Sequence, residues 1–86
     1  MILRGKPHKD KSELLGAIGR RIAANRKETK DRKESMTQEE LAAKAGVDRS
    51  QLGHIELGKV NARVETLHAI TKALGITLGE LFQDLG

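Results

Sequence analysis

The sequence predicts an all-α domain of five helices, and three observations lead there. No stretch alternates apolar and polar residues with β-branched enrichment, so no strand is expected. One helix-start signature recurs three times along the chain. Finally, hydrophobic residues are 37% of the chain but aromatics only 1%, the single Phe82. The core must therefore be built of Leu, Ile, Val and Ala, side chains that suit packing between helices.

Residues 1–11 (MILRGKPHKDK) hold the only Pro and four Lys/Arg, and read as a flexible basic arm. The domain proper is expected over 12–86. Ser12 is a candidate cap for a first helix with Glu13 in its first turn. Leu15, Ile18 and Ile22 follow at helical spacing, and the Gly and Ala residues at 16, 17, 19, 23 and 24 allow a neighbour to approach closely. Residues 25–35 (NRKETKDRKES) are almost wholly polar. They either extend this helix, with Lys27–Asp31, Glu28–Arg32 and Lys30–Glu34 pairs four apart, or form a loop.

The recurring signature is apolar, cap residue, two of any kind, Glu or Gln, apolar. It reads Met36-Thr37-Gln38-Glu39-Glu40-Leu41, then Val47-Asp48-Arg49-Ser50-Gln51-Leu52, then Ile76-Thr77-Leu78-Gly79-Glu80-Leu81. In a capping box the Thr or Asp side chain accepts from the amide three residues on, and the Glu or Gln there reaches back to the cap's own N–H. These boxes open the second, third and fifth helices. The fourth runs from about Val64 to Leu74, with Val64, Leu67, Ile70, Thr71 and Leu74 on one face. Gly46 and Gly75 are placed to end helices in the left-handed conformation.

Charge is uneven. Residues 1–36 carry +6 and residues 37–86 carry −2, within a total of +4. Such a basic end suits a polyanion or, on the plainer reading, is a solvated tail. With no cysteine, disulfide frameworks, thiolate catalysis and Cys-based zinc sites are excluded. The lack of aromatics argues against stacking platforms for single-stranded nucleic acid. The first residues lack the apolar segment of a secretion signal, and the longest apolar run, Leu14 to Gly19, is too short to span a bilayer. A cytoplasmic protein with no membrane association is expected.

The second helix, from Thr37 to Ala45, and the third, from Asp48 to Leu57, are joined by the tight Gly46-Val47 turn. A plain helical hairpin and a DNA-binding helix-turn-helix both fit. On the third helix Leu52 and Ile55 lie together, with Glu56 at their edge, and Arg49, Ser50, Gly53, His54 and Leu57 face the other way. Donors near the N-terminal turn sit where base edges are read in a helix-turn-helix. Arg49 can fork onto guanine O6 and N7, Gln51 can bond adenine or a phosphate, and Ser50 is permissive. Gly53 costs about 1 kcal/mol in a helix interior. Its expected compensation is close approach to a backbone or a thymine methyl.

At this point the chain resembles a known family. Thr37-Gln38-Glu39-Glu40-Leu41-Ala42, Ala45-Gly46-Val47, Ile55-Glu56-Leu57-Gly58-Lys59, Glu65-Thr66-Leu67 and Lys72-Ala73-Leu74-Gly75-Ile76 look like the Cro- and phage-repressor-type helix-turn-helix domains. The resemblance implies a five-helix, lambda-repressor-like domain of a transcription regulator, usually a homodimer on a pseudo-palindromic operator. It places Arg49, Ser50, Gln51 and His54 at base-facing positions, and Gly53 is expected to join them by letting the DNA come close. Gln38 falls where the second helix touches a DNA phosphate, Thr37 next to it is also expected to touch a phosphate, and Lys59, Asn61 and Arg63 fall in a loop that commonly meets the backbone. Arg26 and Glu56 match a structural ion pair, which makes Glu56 scaffold. Three departures stand out: several extra residues between Lys27 and Met36, Ala62-Arg63 where Pro-Ser is usual before the fourth helix, and Asn25 where an apolar residue is common.

Leu78, Leu81, Phe82 and Leu85 follow an i, i+3, i+4, i+7 pattern. Core packing is expected for Leu81, while Leu78, Phe82 and Leu85 are candidates for a dimer surface. Gly53-His54-Ile55-Glu56-Leu57-Gly58-Lys59-Val60 nearly matches a phosphate-binding loop. It lacks the Ser/Thr that holds magnesium, and no strand precedes it. His54 and Glu56 lie two apart, on different faces of their helix, and cannot share a metal. No metal site, cofactor or enzymatic activity is expected. Double-stranded DNA is the expected partner. The alternative is an antitoxin or protein-binding adaptor on the same fold, with a toxin as partner.

Overall fold

The computed structural model describes residues 11–28 and 35–85. In them the chain forms α1 (Lys11–Lys27), α2 (Gln38–Ala45), α3 (Arg49–Glu56), α4 (Val64–Leu74) and α5 (Leu78–Phe82), with no strand among the described residues. The helix of Lys11 already includes Ser12, which lies inside the first turn and does not cap it. The basic arm otherwise lies outside the described residues. So do 29–34, and with them the second member of each expected 27–31, 28–32 and 30–34 pair. Asn25 to Lys27 are helical, so α1 takes the first part of the polar stretch. Asn25 accommodates its unusual position by donating from Nδ2 to the Arg21 carbonyl, 2.9 Å away.

Two of the three capping boxes form. Thr37 Oγ1 accepts from the Glu40 amide at 3.0 Å, and Glu40 Oε1 accepts from the Thr37 amide at 2.8 Å. Thr77 and Glu80 repeat the arrangement at 2.9 and 2.8 Å. The Asp48 box does not form: Asp48 caps α3 by backbone position alone, with no side-chain bond. There the turn does the work. Gly46 (φ 74°) closes α2 in the left-handed conformation, and the Val47 amide bonds back to the Ala42 carbonyl at 3.0 Å, so the chain enters α3 already aimed. With Ala62-Arg63 in place of the usual Pro-Ser, α4 starts at Val64 with Arg63 in the cap position and no side-chain cap bond.

The helices close on an aliphatic core. Ile22, Leu41, Leu52, Ile70 and Leu81 are fully buried, joined by Ile18, Met36, Ala42, Ile55, Leu67 and Leu74. Each large side chain contributes about 1.5–3 kcal/mol on burial. Thr71 is equally buried, and its hydroxyl donates to the His68 carbonyl at 2.9 Å. The main packings are α2 on α4 and α1 on α3.

The second packing is unusually close, and the small residues of α1 make it so. A Cβ on Gly19 would lie 2.3 Å from the Ile55 carbonyl oxygen and 2.4 Å from that of Glu56. A Cβ on Gly58 (φ 73°) would lie 2.7 Å from Gly16 Cα. Backbone therefore rests on backbone, and only glycine fits. Two residues beyond Gly19, Arg21 donates to the Leu81 carbonyl at 3.1 Å and to the Gln83 carbonyl. This satisfies the C-terminal carbonyls of α5 with a positive charge.

The end of the chain departs from the simple helical pattern. Gln83 leaves α5 in an extended conformation and Asp84 turns left-handed (φ 62°), which Asp tolerates better than most residues. Leu85 is thereby folded into the core. The expectation that Leu85 belongs to a dimer surface is thus corrected: the helix stops before it, and the reversal points it inward. Leu78 is half-buried against the core and Phe82 stays exposed.

Candidate nucleic-acid interface

The inward face of α3 is fixed by Leu52 and Ile55, and its C-terminal turn by Glu56. Glu56 is buried because its charge is fully matched. Its carboxylate accepts both arms of the Arg26 guanidinium, Nε to Oε2 at 2.8 Å and Nη2 to Oε1 at 2.9 Å. A second donor, Gln38 Nε2, reaches Oε1 at 2.9 Å. Arg26 Nη1 also donates to the Met36 carbonyl at 3.1 Å, and the Met36 amide donates to the Arg26 carbonyl at 3.0 Å. One bidentate pair thus joins the end of α1, the lead-in to α2 and the end of α3. Glu56 is scaffold, as expected.

The outward face is different. Arg49, Ser50, Gln51, His54 and Leu57 are exposed, in a row from the first turn of α3 past its end. Gly53 is half-buried, and its neighbour is the Gln38 amide, 3.8 Å from where a Cβ would be. No backbone of another element comes near it among the described residues, so the close backbone approach expected there is not made within them. Gln38 sits beside the middle of α3, with one amide N–H already given to Glu56. That bond fixes the orientation of the amide and leaves its second N–H to donate elsewhere. Thr37 is exposed, and its hydroxyl still has its own proton to donate, since the capping bond uses it as an acceptor.

Lys59, Asn61 and Arg63 are exposed in the loop that follows Gly58. They lie past the C-terminal end of α3, a helix roughly 12 Å long, so the site has two polar ends. Arg63 pairs loosely with Glu65 at 3.3 Å in full exposure. Sequence reasoning passed over Glu39, whose carboxylate comes to 3.9 Å from Arg49 Nε. The contact arises only from the way α2 crosses α3, which no local pattern encodes. Among the described residues no three His, Cys, Asp or Glu side chains converge on a metal position, and no helix is long and apolar enough to cross a membrane.

Two short helices across a glycine turn, the second held by its inner face and bare on its outer one, define a helix-turn-helix domain. The chain belongs to that family: the helix-turn-helix family model matches residues 30–81, and the type is that of Cro and the phage repressors. It is 40% identical over 68 residues to the control protein C.MunI of a Mycoplasma species, covering 79% of this chain and 86% of the relative. It is 42% identical over 64 residues to the immunity repressor protein of Bacillus phage phi105, covering 74% of this chain but only 41% of that protein. The chain thus spans less than half the length of the phage repressor. Among solved structures, the restriction-modification controller protein C.AhdI from Aeromonas hydrophila superposes with a TM-score of 0.71 at 32% identity, over 79% of this chain and 96% of that one.

Proposed function

We propose that this chain is a cytoplasmic, sequence-specific regulator of transcription that binds double-stranded DNA as a homodimer, with α3 in the major groove of each half of a pseudo-palindromic operator. The observation that carries the reading is the outer face of α3. Arg49, Ser50, Gln51 and His54 are exposed there, while Leu52, Ile55 and Glu56 lock the helix from behind. Arg49 reads guanine O6 and N7, Gln51 adenine, and Ser50 either, with His54 further along the groove and Gly53 letting the DNA come near. Thr37 and Gln38 hold phosphates on one side of the groove. Lys59, Asn61 and Arg63 hold the backbone beyond the other end of the helix.

The exposed ring of Phe82, with Leu78 beside it, supplies the apolar surface for the second copy. Half-sites then lie about 34 Å apart, one turn of the duplex. The matches span most of C.MunI and C.AhdI, so we assign control of restriction-modification genes as the particular role.

Selection of duplexes from a random pool at fixed salt yields the operator. With that operator in hand, Arg49→Ala is expected to cost cognate binding about 1–3 kcal/mol, roughly 5- to 150-fold, and nonspecific binding far less. Equal losses on both DNAs refute base reading by α3.

A further inference from the structure

The Glu39–Arg49 contact has no part in the fold. The capping box of α2 uses Glu40, not Glu39, and the core is untouched. Both side chains stand in solvent, 76% and 60% exposed, on the surface proposed to face DNA. An acidic group there opposes the approach of any polyanion, so its presence asks for a reason. The 3.9 Å separation makes it an ion pair and not a hydrogen bond.

The geometry supplies the reason. The carboxylate meets Arg49 at Nε, on the side of the guanidinium. The two terminal nitrogens, which form the fork that matches guanine O6 and N7, are not the atoms of this closest contact. An arginine at the edge of a groove has a competing partner, the nearest phosphate, which carries no sequence information. A carboxylate beside Nε repels that phosphate and keeps the fork turned toward the base edges. We infer that Glu39 is a positioning residue for Arg49: it makes the guanidinium choose base over backbone, and so raises discrimination between operator and random DNA without itself touching a base. This rests on the DNA-reading role of α3 proposed above and names how its specificity is set.

The test is a double-mutant cycle read as the ratio of operator to random-duplex affinity, measured by fluorescence anisotropy at low and at moderate salt. The proteins are the full chain, Glu39→Gln, Arg49→Ala and the double variant, each checked for unaltered thermal unfolding. For an exposed pair, Glu39→Gln is expected to lower the ratio by about two- to fivefold at low ionic strength. The effect shrinks as salt rises and disappears in the Arg49→Ala background. A charge acting only on the α2 terminus, or as a general repellent of DNA, would leave the ratio unchanged. An unchanged ratio in Glu39→Gln, or an equal fall with and without Arg49, overturns the inference while Arg49→Ala still upholds base reading. A wild-type chain that does not discriminate at all removes both.

Discussion

Replacing Glu56 with alanine strikes the point where three segments meet. The carboxylate takes two hydrogen bonds from Arg26 and one from Gln38, and the Arg26 side chain is only 11% exposed. Without Glu56 the guanidinium keeps a single protein partner among those bonds, the Met36 carbonyl. It becomes a nearly buried cation lacking its counter-charge, and removing one partner of such a pair costs about 3–5 kcal/mol. A domain of 86 residues has about 4–13 kcal/mol in all, so Glu56→Ala is expected to unfold a visible fraction of the protein near 37 °C. Urea denaturation followed by circular dichroism reads the loss directly. The control is Arg26→Met with Glu56→Leu. If the damage comes from an orphaned charge, removing both charges restores at least half of it, because apolar pairs replace buried ion pairs at little cost. Half-buried Gln38 then turns to water. A loss below about 1 kcal/mol in Glu56→Ala, well under the range for a buried pair, refutes the account. A double variant no better than the single one refutes it equally.

Three further substitutions have defined outcomes. Gly19→Ala forces a methyl against two backbone carbonyls that cannot swing aside. At 2.3 Å the overpacking lies at about 2–3 kcal/mol, the upper part of the usual range, and exceeds the roughly 1 kcal/mol of helix preference that alanine returns, so a net loss of about 1–2 kcal/mol lowers the melting temperature by about 5–15 °C. A Tm that holds or rises shows that α1 and α3 are not in backbone contact. For the proposed homodimer, Phe82→Lys is expected to shift the chain to monomer in sedimentation equilibrium while leaving the fold intact. By contrast, Leu85→Ala lowers stability by about 2 kcal/mol through its core cavity; an unchanged dimer in Phe82→Lys removes α5 from the interface.

Much of this architecture was legible in the sequence because its signals are local. A Thr with a Glu three residues on makes a capping box wherever the backbone permits, and both Thr boxes formed. The glycines at 46 and 75 took the left-handed conformation that ends a helix. Periodicity alone separated Leu52 and Ile55 from the exposed row of Arg49, Ser50 and His54. The misreadings share one cause, that tertiary context decided them. Asp48 and Gln51 carry the pattern of a box, but the α2–α3 turn already sets the start of α3 and the side-chain bond is not made. Leu85 continues a helical spacing past the point where Gln83 breaks the helix and Asp84 reverses the chain. Glu39 and Arg49 are ten positions apart and meet only through a crossing angle.

The structure also explains how so short a helix keeps its shape. At eight residues, α3 is well below the length at which a helix holds itself together in water, about 12–15 residues. Its shape is therefore imposed by its neighbours, and each end is held differently. The N-terminal end is aimed by the Gly46-Val47 turn out of α2. The C-terminal end lies on Gly19 with backbone touching backbone, and is pinned by Glu56 to Arg26 and Gln38. Leu52 and Ile55 fix its roll between these points. Rise, tilt and roll are thus set from the inner face and the two ends of the helix, not by its exposed side chains. The residues proposed to face the groove, Arg49, Ser50, Gln51 and His54, are all exposed and so are released from structural duty. On the proposed role, specificity and stability are divided between the two faces of one helix.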